Sequence, residues 1–311
     1  MSAFEEMERD GTIWMNGEYV DWEDAQVHVL SHAMHYGTGV FEGVRAYDTE
    51  NGTAIFRWEE HLDRLYNSTK PYDMEIEFTP EELTEATLEV LRRNDLDSAY
   101  VRPLAYYGYD SLGVSPGDCP TDVTIAAWPW GAYLGAEALE NGIEVKVSSW
   151  RKHSSSQIPT NAKTTGLYVN SLLAGEEARR HGYTEAIVLN KEGNVAEGPG
   201  ENIFLVRDGE LYTPGLSESI LDGITRDTVI TLAEERGYEV HDNVSISRGE
   251  LHTADELFFT GSAAEVTPIR QVDNVEIGNG GRGPVTEELQ TAFFDLVERR
   301  TDDHEEWFTY V

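Results

Sequence analysis

The sequence predicts an α+β protein of two domains. Three observations carry that expectation. Strand and helix signals are intermixed, and several strand pairs are joined by tight hairpins rather than by helices. The length, 311 residues, is enough for two domains or one large one. A link rich in aromatic residues and glycine, Pro129-Trp130-Gly131-Ala132-Tyr133-Leu134-Gly135, separates two such mixed stretches. We therefore place a small N-terminal domain at 1–131, an interdomain loop at 132–139 and a larger domain at 140–311.

In the first part, Ile13-Trp14-Met15 and Glu18-Tyr19-Val20 flank Asn16-Gly17. That pair is a strong hairpin signal, because both residues tolerate the left-handed dihedrals of a type I′ turn. Thr79-Pro80-Glu81-Glu82 opens a helix with a hydroxyl cap, a proline at the first position and a capping-box glutamate. Leu83, Ala86, Val90 and Leu91 give its buried face. Strands follow at Ala99–Leu104 and Val123–Trp128. The second part begins with an alternating strand, Ile143–Ser149, and a helix from about Leu167 to His181, ended by Gly182. Ala186–Asn190 reads as a strand, and Asn202–Arg207 pairs with Glu210–Tyr212 around Asp208-Gly209. A helix runs from near Gly223 to Gly237, and a strand at Leu257–Thr260 leads into Gly261-Ser262-Ala263-Ala264. The last helix starts near Thr286 and buries Leu289, Phe293 and Leu296; Gly278–Gly283 reads as a turn before it.

Composition excludes several classes. Net charge is −35, from 58 acidic and 23 basic residues spread along the chain. No basic cluster exists to neutralise phosphates, so nucleic acid is not expected as a partner. A hydrophobic content of 40% and 7 tryptophans argue for a packed core. An acidic, lysine-poor, well-cored chain is expected to be halophilic, since dissolved ions screen its self-repulsion. A single cysteine, Cys119, forms no internal disulfide. No apolar run reaches the roughly 18 residues that span a bilayer, and Met1-Ser2-Ala3-Phe4-Glu5-Glu6 has no signal-peptide pattern. A cytoplasmic location is expected, without membrane attachment. The spacing of His28, His32 and His35 invites a metal reading, but nothing pairs them with cysteine or a second ligand group, so no metal is expected.

The chemistry is concentrated in two places. The chain has only five lysines, at 70, 146, 152, 163 and 191. Lys152 lies beside Arg151 and His153. Lys163, in Ile158-Pro159-Thr160-Asn161-Ala162-Lys163-Thr164-Thr165-Gly166, has no charged residue within five positions. A lysine in uncharged surroundings loses its proton readily and attacks carbonyls. Further on, Glu197-Gly198-Pro199-Gly200-Glu201-Asn202 offers a carboxylate that can hold a protonated pyridine nitrogen. Together they point to a Schiff-base lysine and a ring-nitrogen partner for pyridoxal 5′-phosphate. Its phosphate needs an anion site. Leu221-Asp222-Gly223-Ile224-Thr225-Arg226, a glycine turn opening a helix, supplies one, with Asp222 turned outward; Gly261-Ser262-Ala263-Ala264 adds amides and a hydroxyl.

From Ile13 to about Phe294 the chain resembles the branched-chain amino-acid aminotransferases of the fold-type IV pyridoxal-phosphate enzymes. The resemblance is carried by Ser31-His32-Ala33-Met34-His35-Tyr36-Gly37-Thr38-Gly39-Val40-Phe41-Glu42-Gly43-Val44-Arg45 and His61-Leu62-Asp63-Arg64-Leu65. Tyr100-Val101-Arg102-Pro103, Trp130-Gly131-Ala132-Tyr133, the lysine and Glu197 segments, Gly223-Ile224-Thr225-Arg226 and Gly261-Ser262-Ala263-Ala264-Glu265 complete it. It implies a small α/β N-terminal domain, a larger C-terminal pseudo-barrel domain, and a homo-oligomer, either dimer or hexamer.

The resemblance also implies roles. Lys163 holds the cofactor aldehyde and shuttles the Cα proton, and Glu197 pairs with the pyridine nitrogen. Tyr168 bonds the ring hydroxyl, and Arg64, Ile224, Thr225 and Ser262 hold the phosphate. Tyr100 and the amides of Ser262 and Ala263 take the substrate α-carboxylate. Phe41, Gly43, Trp130 and Tyr133 line the side-chain pocket, with Tyr36 and Val114 of a neighbouring subunit. Arg102 meets the distal carboxylate when glutamate is the donor. Two departures bear on fine substrate preference: Ser262 stands where threonine is usual, and Thr164-Thr165-Gly166-Leu167 replaces a glycine-rich stretch. The implied reaction moves the amino group of L-leucine, L-isoleucine or L-valine to 2-oxoglutarate. A D-amino-acid aminotransferase and an aminodeoxychorismate lyase share the scaffold, and an acidic binding protein is the non-enzymatic alternative. Val40–Arg45 with Tyr100-Val101-Arg102 favours the L-branched-chain class over the D-specific one.

Overall fold

The computed structural model describes residues 11–131 and 135–311. The chain forms two compact units. Unit one holds the residues up to Gly131 together with Ala162–Gly166 and Leu296–Val311; unit two holds the remainder up to Asp295. Strands and helices are mixed in both, so the α+β reading is right.

Unit one is built on an antiparallel sheet. Its strands are β1 (Thr12–Met15), β2 (Glu18–Asp21), β3 (Gly39–Phe41), β4 (Val44–Thr49), β5 (Gly52–Phe56), β6 (Ala99–Tyr107) and β7 (Thr121–Pro129), with a C-terminal strand, Phe308–Tyr310. The order runs C-terminal strand, β5, β4, β6, β7, β1, β2, with β3 also on β6. Asn16 and Gly17 turn β1 into β2 with φ of 49° and 92°, as their residue types allow. The helices are α1 (His32–Tyr36), α2 (Trp58–Thr69) and α3 (Pro80–Arg93). At the start of α3, Glu82 N–H donates to Thr79 Oγ1 at 3.2 Å, and Thr79 N–H donates to Glu82 Oε2 at 2.8 Å. Leu62 and Leu65 of α2 and Leu83, Val90 and Leu91 of α3 pack with Val44, Ile55, Val101 and Ile125 of the sheet. Each such leucine is worth about 1.5–3 kcal/mol relative to exposure, so Leu91→Ala is expected to cost roughly 2–5 kcal/mol.

One irregularity in this sheet positions chemistry. β3 pairs with Leu104–Tyr106 of β6, and β4 pairs with Ala99–Val101. Between them the pairing lapses at Glu42-Gly43, opposite Arg102-Pro103. Pro103 has no N–H to donate, and its carbonyl accepts from Glu42 N–H at 2.9 Å. A glutamate and an arginine therefore stand at the same level of the sheet, where β3 gives way to β4 along β6.

Unit two carries a larger mixed sheet: β8 (Ile143–Arg151), β9 (Glu185–Leu189), β10 (Val195–Glu197), β11 (Asn202–Arg207), β12 (Glu210–Pro214), β13 (Val240–Val244), β14 (Glu256–Gly261), β15 (Glu265–Val272) and β16 (Val275–Glu276). The order is β10, β9, β8, β15, β14, β11, β12, β13, with β16 on β15. A short helix, α4 (Ala136–Asn141), precedes β8. β8 runs parallel to both β9 and β15, and β12 runs parallel to β13. Parallel neighbours need crossovers. α5 (Tyr168–Arg180) precedes β9, and α6 (Ile224–Glu235) links β12 to β13. Both helices end on a left-handed glycine, Gly182 at φ 86° and Gly237 at φ 82°. A last helix, Pro284–Val297, follows β16. Phe259, Ile203, Leu257, Val145 and Ile269 lie in the core of this unit.

Candidate active site

Lys163 belongs to unit one, in a segment tied to β3 and α2. Phe41 N–H donates to the Lys163 carbonyl at 3.0 Å, and Gly166 N–H donates to Gly37 O at 3.1 Å. Lys163 N–H donates to Ser68 Oγ at 3.0 Å. Two glycines make this approach feasible: a Cβ on Gly37 would lie 2.9 Å from Gly166 Cα. The Lys163 ammonium sits 5.1 Å from the Phe41 ring centre. Burial pushes its pKa down to about 8, the charge of Arg64 pushes the same way, and Glu42 opposes. A fraction of the lysine is therefore already neutral near pH 7, which a nucleophilic amine requires.

Arg64 is set by a buried carboxylate. Its Nε–H donates to Glu42 Oε1 at 2.7 Å and an Nη2–H donates to Glu42 Oε2 at 2.8 Å. His61 Nδ1 meets Glu42 Oε2 at 2.7 Å. Burial works against the charge on Glu42, but Arg64 and His61 outweigh it and hold the carboxyl well below its usual range. Burial pushes His61 down while Glu42 opposes, and its Nδ1 is the donor because a carboxylate oxygen accepts.

A strip of aromatic residues faces the same lysine. Tyr100 and Arg102 share one side of β6, as strand alternation predicts: the Arg102 guanidinium lies 5.3 Å from the Tyr100 ring centre and 4.8 Å from that of Phe41. Tyr100 also contacts Trp130 at 5.1 Å and Trp128 at 5.5 Å between ring centres. Gly43 has to be glycine, because a Cβ there would stand 1.8 Å from Tyr100 Oη. Unit one thus brings together Lys163, Arg64, Phe41, Gly43, Tyr100, Arg102 and Trp130. Tyr36 and Val114 are exposed, at 43% and 78%. Tyr133 lies outside the described residues.

Unit two gathers the remaining candidates. Glu197, at the end of β10, is buried and accepts from three donors: Lys152 Nζ, Asn202 Nδ2 at 3.2 Å and Leu221 N–H at 2.9 Å. The same Asn202 amide donates to Leu221 O at 2.9 Å, which ties Glu197 to the approach of α6. Ile224 and Thr225 are the first residues of α6, where Gly223 is extended and no side chain caps the end. Gly223 also has to be small, since a Cβ would lie 1.9 Å from Asn202 Oδ1. Asp222 is exposed, with Oδ1 3.8 Å from Arg226 Nη1. Ser262 and Ala263 form the turn between β14 and β15. Tyr168, the first residue of α5, lines a cavity of about 460 Å³ with Leu172, Arg179, Glu185, Pro199 and Gly200. Burial pushes Glu185 up to about 7.

The histidines of the N-terminal region have protein partners. His32 bonds Thr38 Oγ1 at 2.7 Å and Val114 O at 3.1 Å, His35 bonds Val29 O at 3.0 Å, and His28 stacks on Tyr109. Cys119 is buried, and its Sγ accepts from Ser111 N–H at 3.2 Å.

Sequence reasoning assigned nothing to Glu42, His61, Trp128, Lys152 and Asn202. One signal was available. Glu42 interrupts the apolar run Gly39-Val40-Phe41 … Gly43-Val44, and a carboxylate inside such a run needs a buried partner.

Residues 39–272 match the family model described as amino-transferase class IV. The branched-chain-amino-acid aminotransferase of Pseudomonas aeruginosa is 53% identical over 304 residues, covering 98% of each chain. The crystal structure of the Escherichia coli branched-chain amino acid aminotransferase superposes with a TM-score of 0.94 at 52% identity, covering 96% of this chain and 98% of that one. The T.th. branched-chain amino acid aminotransferase, complexed with N-(5′-phosphopyridoxyl)-L-glutamate, superposes with a TM-score of 0.91 at 49% identity, covering 97% and 98%.

Proposed function

The chain belongs to the class IV aminotransferases, among the branched-chain-amino-acid aminotransferases of fold type IV, and we propose that it uses pyridoxal 5′-phosphate to transfer the amino group of L-leucine, L-isoleucine or L-valine to 2-oxoglutarate, giving branched 2-oxo acids and L-glutamate. The observation that carries this reading is Lys163: a lysine with its pKa lowered to about 8, beside aromatic walls and an arginine in one unit. The donor set fits the cofactor. A neutral lysine suits its aldehyde, a buried glutamate suits its ring nitrogen, and an arginine and a helix N-terminus suit its phosphate. When bound, the cofactor supplies an electron sink for the charge left at the substrate Cα.

The side chains do the rest. Lys163 would hold the aldehyde and would move the Cα proton. Glu197, oriented by Lys152, Asn202 and the Leu221 amide, would meet the protonated ring nitrogen, and Tyr168 would bond the ring hydroxyl. Arg64, Ile224, Thr225 and Ser262 would hold the phosphate. Tyr100 with the Ser262 and Ala263 amides takes the α-carboxylate. Phe41, Gly43 and Trp130 form a dry wall for a branched side chain. Arg102 at its edge receives a distal carboxylate, so one pocket serves leucine and glutamate alike.

The chain works as a homo-oligomer, with Tyr36 and Val114 completing a neighbour's pocket. Support comes from exposed apolar residues: Val29 at 69%, Met34 at 65% and Val114 at 78% in unit one, Val169 at 59% and Leu172 at 60% in unit two. Among the described residues no helix is long and apolar enough to cross a membrane. A cytoplasmic, salt-adapted enzyme is the setting that the charge and composition support.

The test is a half-reaction survey. The yellow protein is mixed with single L- and D-amino acids while its cofactor spectrum is followed. Leucine, isoleucine, valine and L-glutamate should each convert it; D-amino acids should not, and Lys163→Ala should convert with none. Conversion by D-alanine, or pyruvate release without an oxo-acid acceptor, would assign the chain elsewhere.

A further inference from the structure

Arg102 is held in an unusual way. Its guanidinium carbon lies 4.8 Å from the ring centre of Phe41, 5.3 Å from Tyr100 and 5.7 Å from Trp128. Its Nε is buried without a hydrogen-bond partner, and among the described residues no carboxylate pairs with it. Arg64, by contrast, has two N–H groups taken by Glu42. A guanidinium bound by a carboxylate has its charge cancelled and one edge occupied. One held by ring faces keeps both its charge and its in-plane donors for an incoming carboxylate.

Register explains how Trp128 reaches this position. Along the β6–β7 ladder Tyr100 stands opposite Trp128, and Arg102 stands opposite Ala126. The small side chain at 126 leaves the diagonal open, and a tryptophan is long enough to cross it. Trp128 packs against Tyr100 at 5.5 Å and Trp130 at 6.1 Å between ring centres. Of the three rings around Arg102, Phe41 and Tyr100 already have roles toward substrate; Trp128 has none.

We propose that Trp128 is a specificity-determining positioning residue, whose ring seats Arg102 so that the pocket accepts substrates with a distal carboxylate without losing the apolar wall that suits branched ones. This deepens the reading in which Arg102 receives the distal carboxylate, and it rests on that reading. Because the seat is aromatic rather than acidic, removing it affects the acidic substrate and spares the apolar one.

The experiment uses holoenzyme. In Trp128→Leu, kcat/KM for L-glutamate should fall about tenfold, mainly through KM, while L-leucine changes by less than about twofold. Calorimetric affinity for glutarate should weaken in parallel, and that for 4-methylvalerate should not. Trp128→Phe, which keeps a weaker ring, should lose about threefold on glutamate and nothing on leucine; it carries the test if the leucine variant does not fold. Equal losses on both substrates, or none on glutamate, would overturn the proposal. Arg102→Leu is run alongside. If it discriminates against glutamate while Trp128→Leu does not, the role of Trp128 alone is wrong. If Arg102→Leu leaves the glutamate-to-leucine ratio untouched, the underlying reading of Arg102 is wrong, and this proposal goes with it.

Discussion

Glu42 grips Arg64 through both carboxylate oxygens, at 2.7 and 2.8 Å, with Glu42 at 1% side-chain exposure and Arg64 at 14%. Removing one partner of a buried pair leaves the other charge stranded, which costs about 3–5 kcal/mol. Glu42→Gln should therefore lower the urea midpoint clearly. It should also act on Lys163, because Glu42 is the carboxylate that offsets Arg64 there. Cofactor uptake by the cofactor-free protein needs neutral Lys163, so its rate should rise with pH about a midpoint near 8 in the wild type and level off above it. In Glu42→Gln the levelling should move to lower pH. An unchanged midpoint would mean that Glu42 does not tune the lysine.

Glu185 gives a pH dependence of stability with a definite sign. Its folded pKa is raised by burial to about 7 from 4.5, against the bond from Ala186 N–H and the charge of Arg179. Between those values the folded state holds a proton that the unfolded state has released, so stability falls as pH rises through that window and the loss is complete above it. Glu185→Gln should match the wild type at pH 4 and exceed it at pH 8, by at most on the order of 3 kcal/mol at about 1.4 kcal/mol per pKa unit. Chemical denaturation at the two pH values decides it; equal gaps at both would assign the buried proton to another group.

Gly223→Ala tests the link between the helix end and Glu197. Backbone strain plays no part, since φ is −79°. The added methyl would meet Asn202 Oδ1 at 1.9 Å and drive that side chain from Glu197 and Leu221 O. Cofactor affinity should drop about tenfold or more, as for one lost charge-assisted bond. Combining it with Asn202→Ala removes the clash, so the double variant should bind no worse than Asn202→Ala alone. Additive losses in equilibrium binding would reject the mechanism.

Net charge of −35 predicts that the melting temperature climbs as salt is raised from millimolar to molar, because ions screen the repulsion. Differential scanning calorimetry across that range should give a monotonic rise. A flat or falling curve would remove the halophilic reading.

Much of the fold was legible wherever a local rule applied. Asn16-Gly17, Asp208-Gly209, the Thr79 cap, Gly182 and Gly237 all announce their turns and ends by residue type. α2 has no such announcement. The residue before it is Arg57, left-handed at φ 53° with no capping side chain. β15 was hidden for a similar reason: its turn, Ser262-Ala263-Ala264, lacks a hairpin pair, and Pro268 argues against an inner strand. It is tolerated because pairing with β8 starts only at Ile269. In the candidate site, Lys163 and Glu197 stand out by type and setting. Lys152 does not, because its meeting with Glu197 spans 45 positions of chain. Glu42, Arg64 and Lys163 likewise converge only in three dimensions, so a lysine with uncharged sequence neighbours has charged spatial ones.

The chain leaves unit one after Gly131, returns for Ala162–Gly166, leaves again and comes back from Leu296. A ribosome therefore cannot release unit one as a finished body when residue 131 emerges. Its β3 still lacks the bridge from Val40 to Thr164, and its β5 still lacks the edge strand Phe308–Tyr310. The order of synthesis thus ties completion of the lysine-bearing unit to a strand made long after Lys163. No single cut in the gene divides the protein into its two units, and an expressed 1–131 fragment would carry an uncovered strand edge and no Lys163.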